Sequence, residues 1–592
     1  MQALNEYRQC LRDRESRVAQ LDRLHLRFGN FRLAVAIAAA ILACFIFGRH
    51  TLSEWWLAAP LAAFAALAFA HSRALRARSR AQRAAMVYAN GIARIEDRWA
   101  GTGDSGDAFN DPHHVYASDL DLFGHGSVFE LLSTARTRMG SATLARWLGE
   151  PASTQEVLQR HEALAELSPR LDLREDIAIL GEDASVGVHP AELLEWAEAP
   201  VAPAQRWLRI AAGVLAVAFV GAAVFWWISG VATPLLIVFL TEAYIAFRFR
   251  KRVEVVTHAA EHAFHDLDLL SAVLARIERE PVESALLRRL KEKLESHHSP
   301  ASRAISRLRG IVDLVMSRDN LVLRVLDVPL MYSVQVMFAV ESWQREHGAA
   351  VRSWLDAVGE FEALLSLAAY TYEHDQDVFP EFVSGAACFE AEHLGHPLIP
   401  AAKCVLNSPK ICGEVRTLLV SGSNMSGKST LLRAVGIASV MAMAGAPVRA
   451  RRLRMTPLQV GASIRINDSL QEGSSRFYAE ITRLRNILDL TGGELPVLYL
   501  IDEMLQGTNS HDRRIGAEGV VRALVERGAI GLITTHDLAL TEIGSSIGEH
   551  LRNVHFQDEL ENGKIQFDYK LREGVVTKSN GLELMRSIGL NV

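Results

Sequence analysis

Cysteine is scarce in this 592-residue chain. There are five, Cys10, Cys44, Cys388, Cys404 and Cys412, with no CxxC pair and no regular spacing. That argues against a zinc ribbon or a disulfide framework, and reads as buried free thiols in a reducing compartment. An excess of positive charge is missing too. With 63 basic and 69 acidic residues the formal charge is −6, so the chain as a whole carries no electrostatic footprint for nucleic acid. Internal repeats and low-complexity segments are absent. What is abundant is apolar: 49% of residues are hydrophobic, and a mean hydropathy slightly above zero excludes wholesale disorder. The length allows about four domains.

The apolar surplus is concentrated. Residues 33–48 and 55–70 are uncharged runs on either side of a short loop with Arg49, His50 and Glu54. Residues 210–228 and 231–247 form a second pair, broken by Ser229, Gly230, Thr241 and Glu242. At about 1.5 Å per residue, such runs span or nearly span a hydrocarbon core of about 30 Å. The alternative is a set of buried core helices. Against it, the runs are apolar on all sides and come as hairpins. Trp55, Trp56, Trp226 and Trp227 also sit at their ends, where aromatic belts form. Both pairs are therefore read as transmembrane helical hairpins. Arg23, Arg27 and Arg32 precede the first, and Arg73, Arg76, Arg78, Arg80 and Arg83 follow it. Arg206 and Arg209 precede the second, and Arg248, Arg250, Lys251 and Arg252 follow. Positive flanks stay inside, so the expectation is a multi-pass cell-membrane protein with its hydrophilic parts in the cytoplasm. A cleaved signal peptide is excluded, because it would export the nucleotide site described next. The arginines at 73–83 read as lipid contacts rather than nucleic-acid contacts.

The organisation expected is a polar helix (1–27) and the first hairpin in 1–100, and a Gly/Asp-rich linker in 101–115. A helical segment follows in 116–200, then the second hairpin in 201–252 and further helices in 253–378. Short apolar strands then alternate with helices over 379–592, the pattern of an α/β domain. His113 and His114 beside Asp111 lack ligand spacing and read as solvated.

That last domain opens on a phosphate-binding pattern. The apolar strand Thr417 to Val420 and Ser421 lead into Gly422, Ser423, Asn424, Met425, Ser426, Gly427, Lys428 and Ser429, with a helix from Thr430. This is GxxxxGK[ST] in its strand–loop–helix context, where backbone N–H groups and the helix N-terminus cradle phosphate. Lys428 is placed to bridge the β- and γ-phosphates of ATP, and the Ser429 hydroxyl to ligate Mg²⁺. About seventy residues on, the strand at 497–501 ends in Asp502 and Glu503. Asp502 suits the Mg²⁺ shell, and Glu503 suits a general base for water. A third strand, 531–535, ends at His536, within reach of a γ-phosphate.

These motifs resemble the MutS family of DNA mismatch repair ATPases. The P-loop with Asn424-Met425, the Ser474 to Glu480 segment, and Asp502-Glu503 running on through Gly507 to Asp512 occur in that family's order. So do Thr534-Thr535-His536 and the closing Tyr569-Lys570-Leu571 with Gly574 and Ser579 to Gly581. His396-Pro397 and Asn407 are in place before the P-loop, and Asp119 to Leu122, Gly126 to Leu132 and Arg146 to Leu148 resemble the start of the family's helical core less tightly. The resemblance implies an ABC-type P-loop NTPase domain joined to an all-α MutS-like core. It implies a homodimer of head-to-tail ATPase domains, with Ser475 of one subunit near the γ-phosphate of the other. His555 matches a residue that stacks on adenine, while Cys404 stands where relatives carry an aromatic. No counterpart of the mismatch-reading domain or its Phe-x-Glu wedge is found. DNA is the implied substrate, with Arg449, Arg451, Arg452 and Arg454 as candidate phosphate contacts. The alternative is a nucleotide-controlled membrane scaffold for a protein partner. A transporter fits poorly, because the apolar runs hold no ionisable pairs beyond Glu242.

Overall fold

The computed structural model describes residues 2–48, 53–201, 206–296, 299–317, 327–465, 476–506, 508–561 and 564–576. The chain divides into two compact units, one of Met1–Leu132, Leu171–Ile179 and Ala369–Val592, the other of Ser133–Arg170 and Leu180–Ala368.

In the first unit the expected polar helix and first apolar run are one 42-residue helix, Gln2–Ala43. It pairs with Ala58–Ile95 in an α-hairpin. At 1.5 Å per residue the first arm is about 63 Å long, twice a hydrocarbon core. Its polar half is fastened by side chains. Arg8 donates to Glu96 at 2.7 Å, Arg78 pairs with Asp22, and Tyr7 packs edge-on against Tyr88. Arg94 grips the buried carboxylate of Glu373 with two bonds of 2.5 and 2.6 Å, and the Tyr7 hydroxyl donates to the same group at 3.2 Å. The apolar half is different. Phe31, Leu33, Ile37, Ile41, Trp55, Trp56 and Leu61 are exposed, so these residues are not a protein core.

Three helical stretches among the described residues are long and apolar enough to cross a membrane: Gln2–Phe47, Glu54–Ile95 and Arg209–Ser229. The return arm expected at 231–247 is not among them. It begins the 47-residue helix Thr233–Arg279, whose first 18 residues already include Glu242, Arg248 and Arg250.

The second unit is helical, as expected. Ser153 and Glu156 form a reciprocal capping box at the start of Thr154–Leu167. Its interior holds a carboxylate, Glu362, which accepts from the backbone N–H groups of Arg136 and Thr137 and pairs with the Thr137 hydroxyl. Burial pushes its pKa up, and those hydrogen bonds oppose the rise. Gly140 leaves room for it, since a Cβ there would collide with its side chain, whereas a Cβ at Gly181 would collide first with Arg136 and crowd Glu362 at 3.0 Å.

The α/β domain lies in the first unit. Its six-stranded sheet runs, edge to edge, Lys564–Glu573, Leu551–Glu561, Thr417–Ser421, Ile530–Thr535, Val497–Ile501 and Gln459–Ser463. All neighbours are parallel except the closing hairpin. The three central strands are buried at every position, which explains their mainly apolar sequence. A smaller sheet of Glu381–Phe382, Arg452–Met455, Phe389–Glu392 and Lys410–Ile411 stands beside it.

Two expectations are corrected here. Residues 116–132, expected in the helical core, fall in the unit that holds the ATPase fold. Asp119 accepts from the Ile464 and Arg465 N–H groups at 2.7 Å each and from Arg483 at 2.6 Å. The Leu120 side chain lies against Gly436. Nor are all the cysteines free. Cys388 and Cys412 form a disulfide with Cα atoms 4.4 Å apart, because antiparallel pairing of Phe389 with Ile411 brings their neighbours together. Cys10, Cys44 and Cys404 remain thiols. The cysteine argument for a reducing compartment thereby loses its premise.

Candidate nucleotide site

Strand order alone gathers the site. Parallel pairing aligns Ser421 with Thr535 and Ile501 with Ile533, so the chain leaves three adjacent strands at the same edge with the P-loop, Asp502-Glu503 and His536. Gly422 at φ 155° and Gly427 at φ 101° supply turns that side-chain-bearing residues resist, and Met425 takes φ 69° with its side chain exposed. The helix Lys428–Ala444 starts directly after.

Inside the loop, the Lys428 ammonium donates to the carbonyls of Gly422 and Ser423 at 2.9 and 2.7 Å. Burial pulls its pKa down, while Glu503 and Asp502 push it up. The Ser429 hydroxyl donates to Asp502 Oδ2 at 2.6 Å, and Thr534 holds the other Asp502 oxygen. The Thr534 hydroxyl also accepts the Glu503 N–H at 3.0 Å. Glu503 Oε1 lies 3.3 Å from His536 Nδ1, and Gln506 donates to Oε2. Lys428, Ser429, Asp502, Glu503 and His536 are thus brought together as the motifs require. Ser474, Ser475, Gly507 and Ser579 to Gly581 lie outside the described residues.

The residues fit a nucleoside triphosphate and a divalent cation. The Ser423 and Ser426 hydroxyls are buried without a partner, as groups awaiting phosphate oxygens would be. No cluster of three or more His, Cys, Asp or Glu among the described residues could hold a metal alone. A hydroxyl–carboxylate pair that needs phosphate oxygens to complete its shell is what Mg²⁺ uses.

Beside the loop opens a cavity of about 710 Å³. Asn424, Met425, Gly427 and Thr430 line one side, and His396, Ile399, Lys403, Cys404 and Tyr569 the other. His555 is not brought there. Its ring bonds the Gly574 carbonyl at 3.0 Å, while the next residue, Phe556, lines the cavity. Adjacent strand residues face opposite ways, so a shift of one position moves a ring out of the site. The aromatic that sequence reasoning missed is Tyr569, whose ring lies 3.2 Å from where a Gly427 Cβ would stand. Its place in the closing Tyr569-Lys570-Leu571 motif was the available signal. Cys404 accepts the His396 N–H at 3.3 Å and offers no ring.

The basic run near this domain is also corrected. Arg449 donates to the His396 and Ile399 carbonyls, Arg452 pairs with Glu381, and Arg454 faces Glu390. Three of the four candidate phosphate contacts are engaged within the domain.

Comparison with known proteins agrees with this geometry. Residues 418–591 match the family model of MutS domain V. Over this stretch the chain is similar to the MutS family. Similar proteins include the DNA mismatch repair protein MutS of Geobacillus thermodenitrificans, 29% identical over 48% of this chain and 31% of that protein. Endonuclease MutS2 of Thermus thermophilus is 35% identical over 34% of this chain and 26% of its own length. DNA mismatch repair protein MutS 2 of Halobacterium salinarum is 32% identical over 40% and 27%. The chain thus aligns with about a third or less of each of these MutS-family relatives.

Two measurements check the pocket. Tyr569→Ala is expected to weaken ATP binding about tenfold, the worth of one base–aromatic stack. His555→Ala should leave it within about twofold, and the reverse ranking in a titration would return the stacking role to His555. The second concerns pH. Burial, then the charges of Arg433 and Arg449, pull the His396 pKa down to about 4. The unfolded chain therefore binds the extra proton between pH 6.5 and 4, so this group's stabilisation is complete above 6.5 and is lost as pH falls through that window. Wild type should lose up to about 3 kcal/mol more than His396→Asn across it in denaturant titrations; equal losses would place the histidine in water.

Proposed function

We propose that this MutS-like chain is a membrane-anchored ATPase that couples ATP binding and hydrolysis to closure of a dimer acting on DNA. The observation that carries the hydrolytic reading is the convergence of Ser429, Asp502, Glu503 and His536 at one sheet edge. Lys428 releases its two loop carbonyls to hold the phosphates. Ser429 and Asp502 would hold Mg²⁺, which when bound supplies charge neutralisation. Glu503 takes the proton of the attacking water, and His536, in contact with it, reaches the γ-phosphate. Tyr569 presents its ring to the base. The dimer and Ser475's place in the partner's site rest on the family resemblance. Exposed Met425, Tyr478 and Ile481 on the ATPase domain are consistent with a partner there.

Membrane anchoring is supported by exposed apolar surface on three long helices and by the arginines that flank them. The cytoplasmic orientation rests on those arginines alone. DNA as substrate is supported by the names of the relatives, which describe mismatch repair proteins and an endonuclease. A scaffold for a protein partner is favoured by one observation, the internal pairing of Arg449, Arg452 and Arg454.

Glu503→Gln tests the chemistry: turnover should fall by at least about 100-fold while ATP stays bound, and a variant that turns over normally removes Glu503 as the base. For topology, a reporter fused at Thr51, outside the described residues, should read as external; a cytoplasmic signal there overturns the hairpin. The DNA reading expects binding by the purified protein with a steep inverse dependence on salt. No binding at low salt leaves the scaffold.

A further inference from the structure

One guanidinium near the site is used by none of the steps above. Arg513 lies in the first turn of the helix Ser510–Glu526, where a cation opposes the helix dipole. The helix gains nothing from a positive charge at that end. Its start is already secured by Asn509, whose side chain accepts the Asp512 N–H at 2.9 Å. Arg513 instead folds back over the turn that follows Glu503. Its Nε donates to the Leu505 carbonyl at 3.1 Å, and one terminal nitrogen donates to the carbonyls of Gln506 and Thr508 at 3.3 and 3.2 Å. The other terminal nitrogen faces Asp537 Oδ2 at 3.6 Å. The side chain is 17% exposed.

That turn needs holding. Glu503 and Leu505 both stand in the left-handed region, at φ 51° and 58°, without being glycine. On its donor side the Leu505 N–H is taken by the buried carboxylate of Glu480. On its acceptor side the carbonyls converge on Arg513. The turn ends in Gln506, which donates to the Glu503 carboxylate. Asp537, Arg513's remaining partner, directly follows His536 and is tied back through its N–H to the Thr535 hydroxyl at 3.0 Å. One planar fork therefore touches both loops that deliver Glu503 and His536.

We propose that Arg513 is a positioning residue for hydrolysis, fixing the Glu503 turn against the His536 loop so that base and γ-phosphate contact keep register. The role rests on the hydrolytic reading above. Only a guanidinium serves, because a lysine ammonium on a flexible stem cannot span three carbonyls and a carboxylate.

The test uses the full chain in membranes or detergent. Arg513→Ala should lower kcat about 10- to 100-fold, with KM and ATP affinity within about twofold of wild type. Arg513→Lys should fall by a similar factor. Millimolar guanidinium chloride should restore part of kcat to Arg513→Ala, a response that a purely structural role would not give. Retained ATP affinity shows that the variants are folded. An unchanged kcat in Arg513→Ala, a parallel loss of ATP affinity, or full activity in Arg513→Lys overturns the assignment. Failure of the underlying reading looks different: wild type then binds ATP without turnover. A hydrolysing wild type with an indifferent Arg513→Ala overturns this role alone.

Discussion

Parallel pairing of three buried strands is the constraint on which the rest of the nucleotide site depends. Thr417–Ser421, Ile530–Thr535 and Val497–Ile501 are neighbours in register, so their carboxyl ends deliver a phosphate loop, two carboxylates and a histidine to one edge. Parallel strands with both faces covered are mainly apolar, and unpartnered polar groups are tolerated only where they stop. The buried Thr417 hydroxyl, paired with Tyr499 across the sheet, shows how tightly interior polar groups are matched. Beyond the strand ends the matching changes. Lys428 settles on backbone carbonyls, and the Ser423 and Ser426 hydroxyls have no partner. A site built around phosphate leaves such groups waiting.

The domain is also held from outside its own sequence. Asp119, more than 300 residues upstream of Arg483, caps the end of the edge strand Gln459–Ser463 and anchors the helix Arg476–Leu490 through Arg483. Asp97, at the base of the apolar hairpin, accepts the Ala401 N–H at 3.2 Å beside the nucleotide cavity. The disulfide of Cys388 and Cys412 closes the segment that carries His396, Lys403 and Cys404. The wall of the cavity is thereby secured at both ends, by a covalent link and by Asn407, which bonds the backbone of Tyr569 and Leu571.

In the N-terminal hairpin a fastened polar half and an exposed apolar half share the same helices. The polar half of Gln2–Ala43 is fastened by ion pairs and by the Tyr7 cluster, whereas the apolar half exposes Ile37, Ile41 and their neighbours. Continuous helix satisfies every interior backbone group in either environment, so nothing in the backbone marks the change. Only side chains do.

Much of this was legible in the chain itself. The P-loop, Asp502-Glu503 and His536 were found by local pattern, because phosphate binding needs particular residues at fixed short spacings. The apolar runs were legible by length and composition, and the helical character of the intervening segments by periodicity. What could not be read arises from contacts between residues far apart in sequence. Tyr569 rather than His555 lines the cavity because strand direction sets which side chains face it. Cys388 meets Cys412 because two strands pair. Arg449, Arg452 and Arg454 are engaged because carbonyls and carboxylates from elsewhere surround them. Arg513 finds the Glu503 turn because a helix start folds back over it. The sequence by itself determined the chemistry available, since that resides in short motifs and composition. Tertiary structure alone decided which rings, thiols and guanidinia use it, since partner choice is settled by packing across the fold.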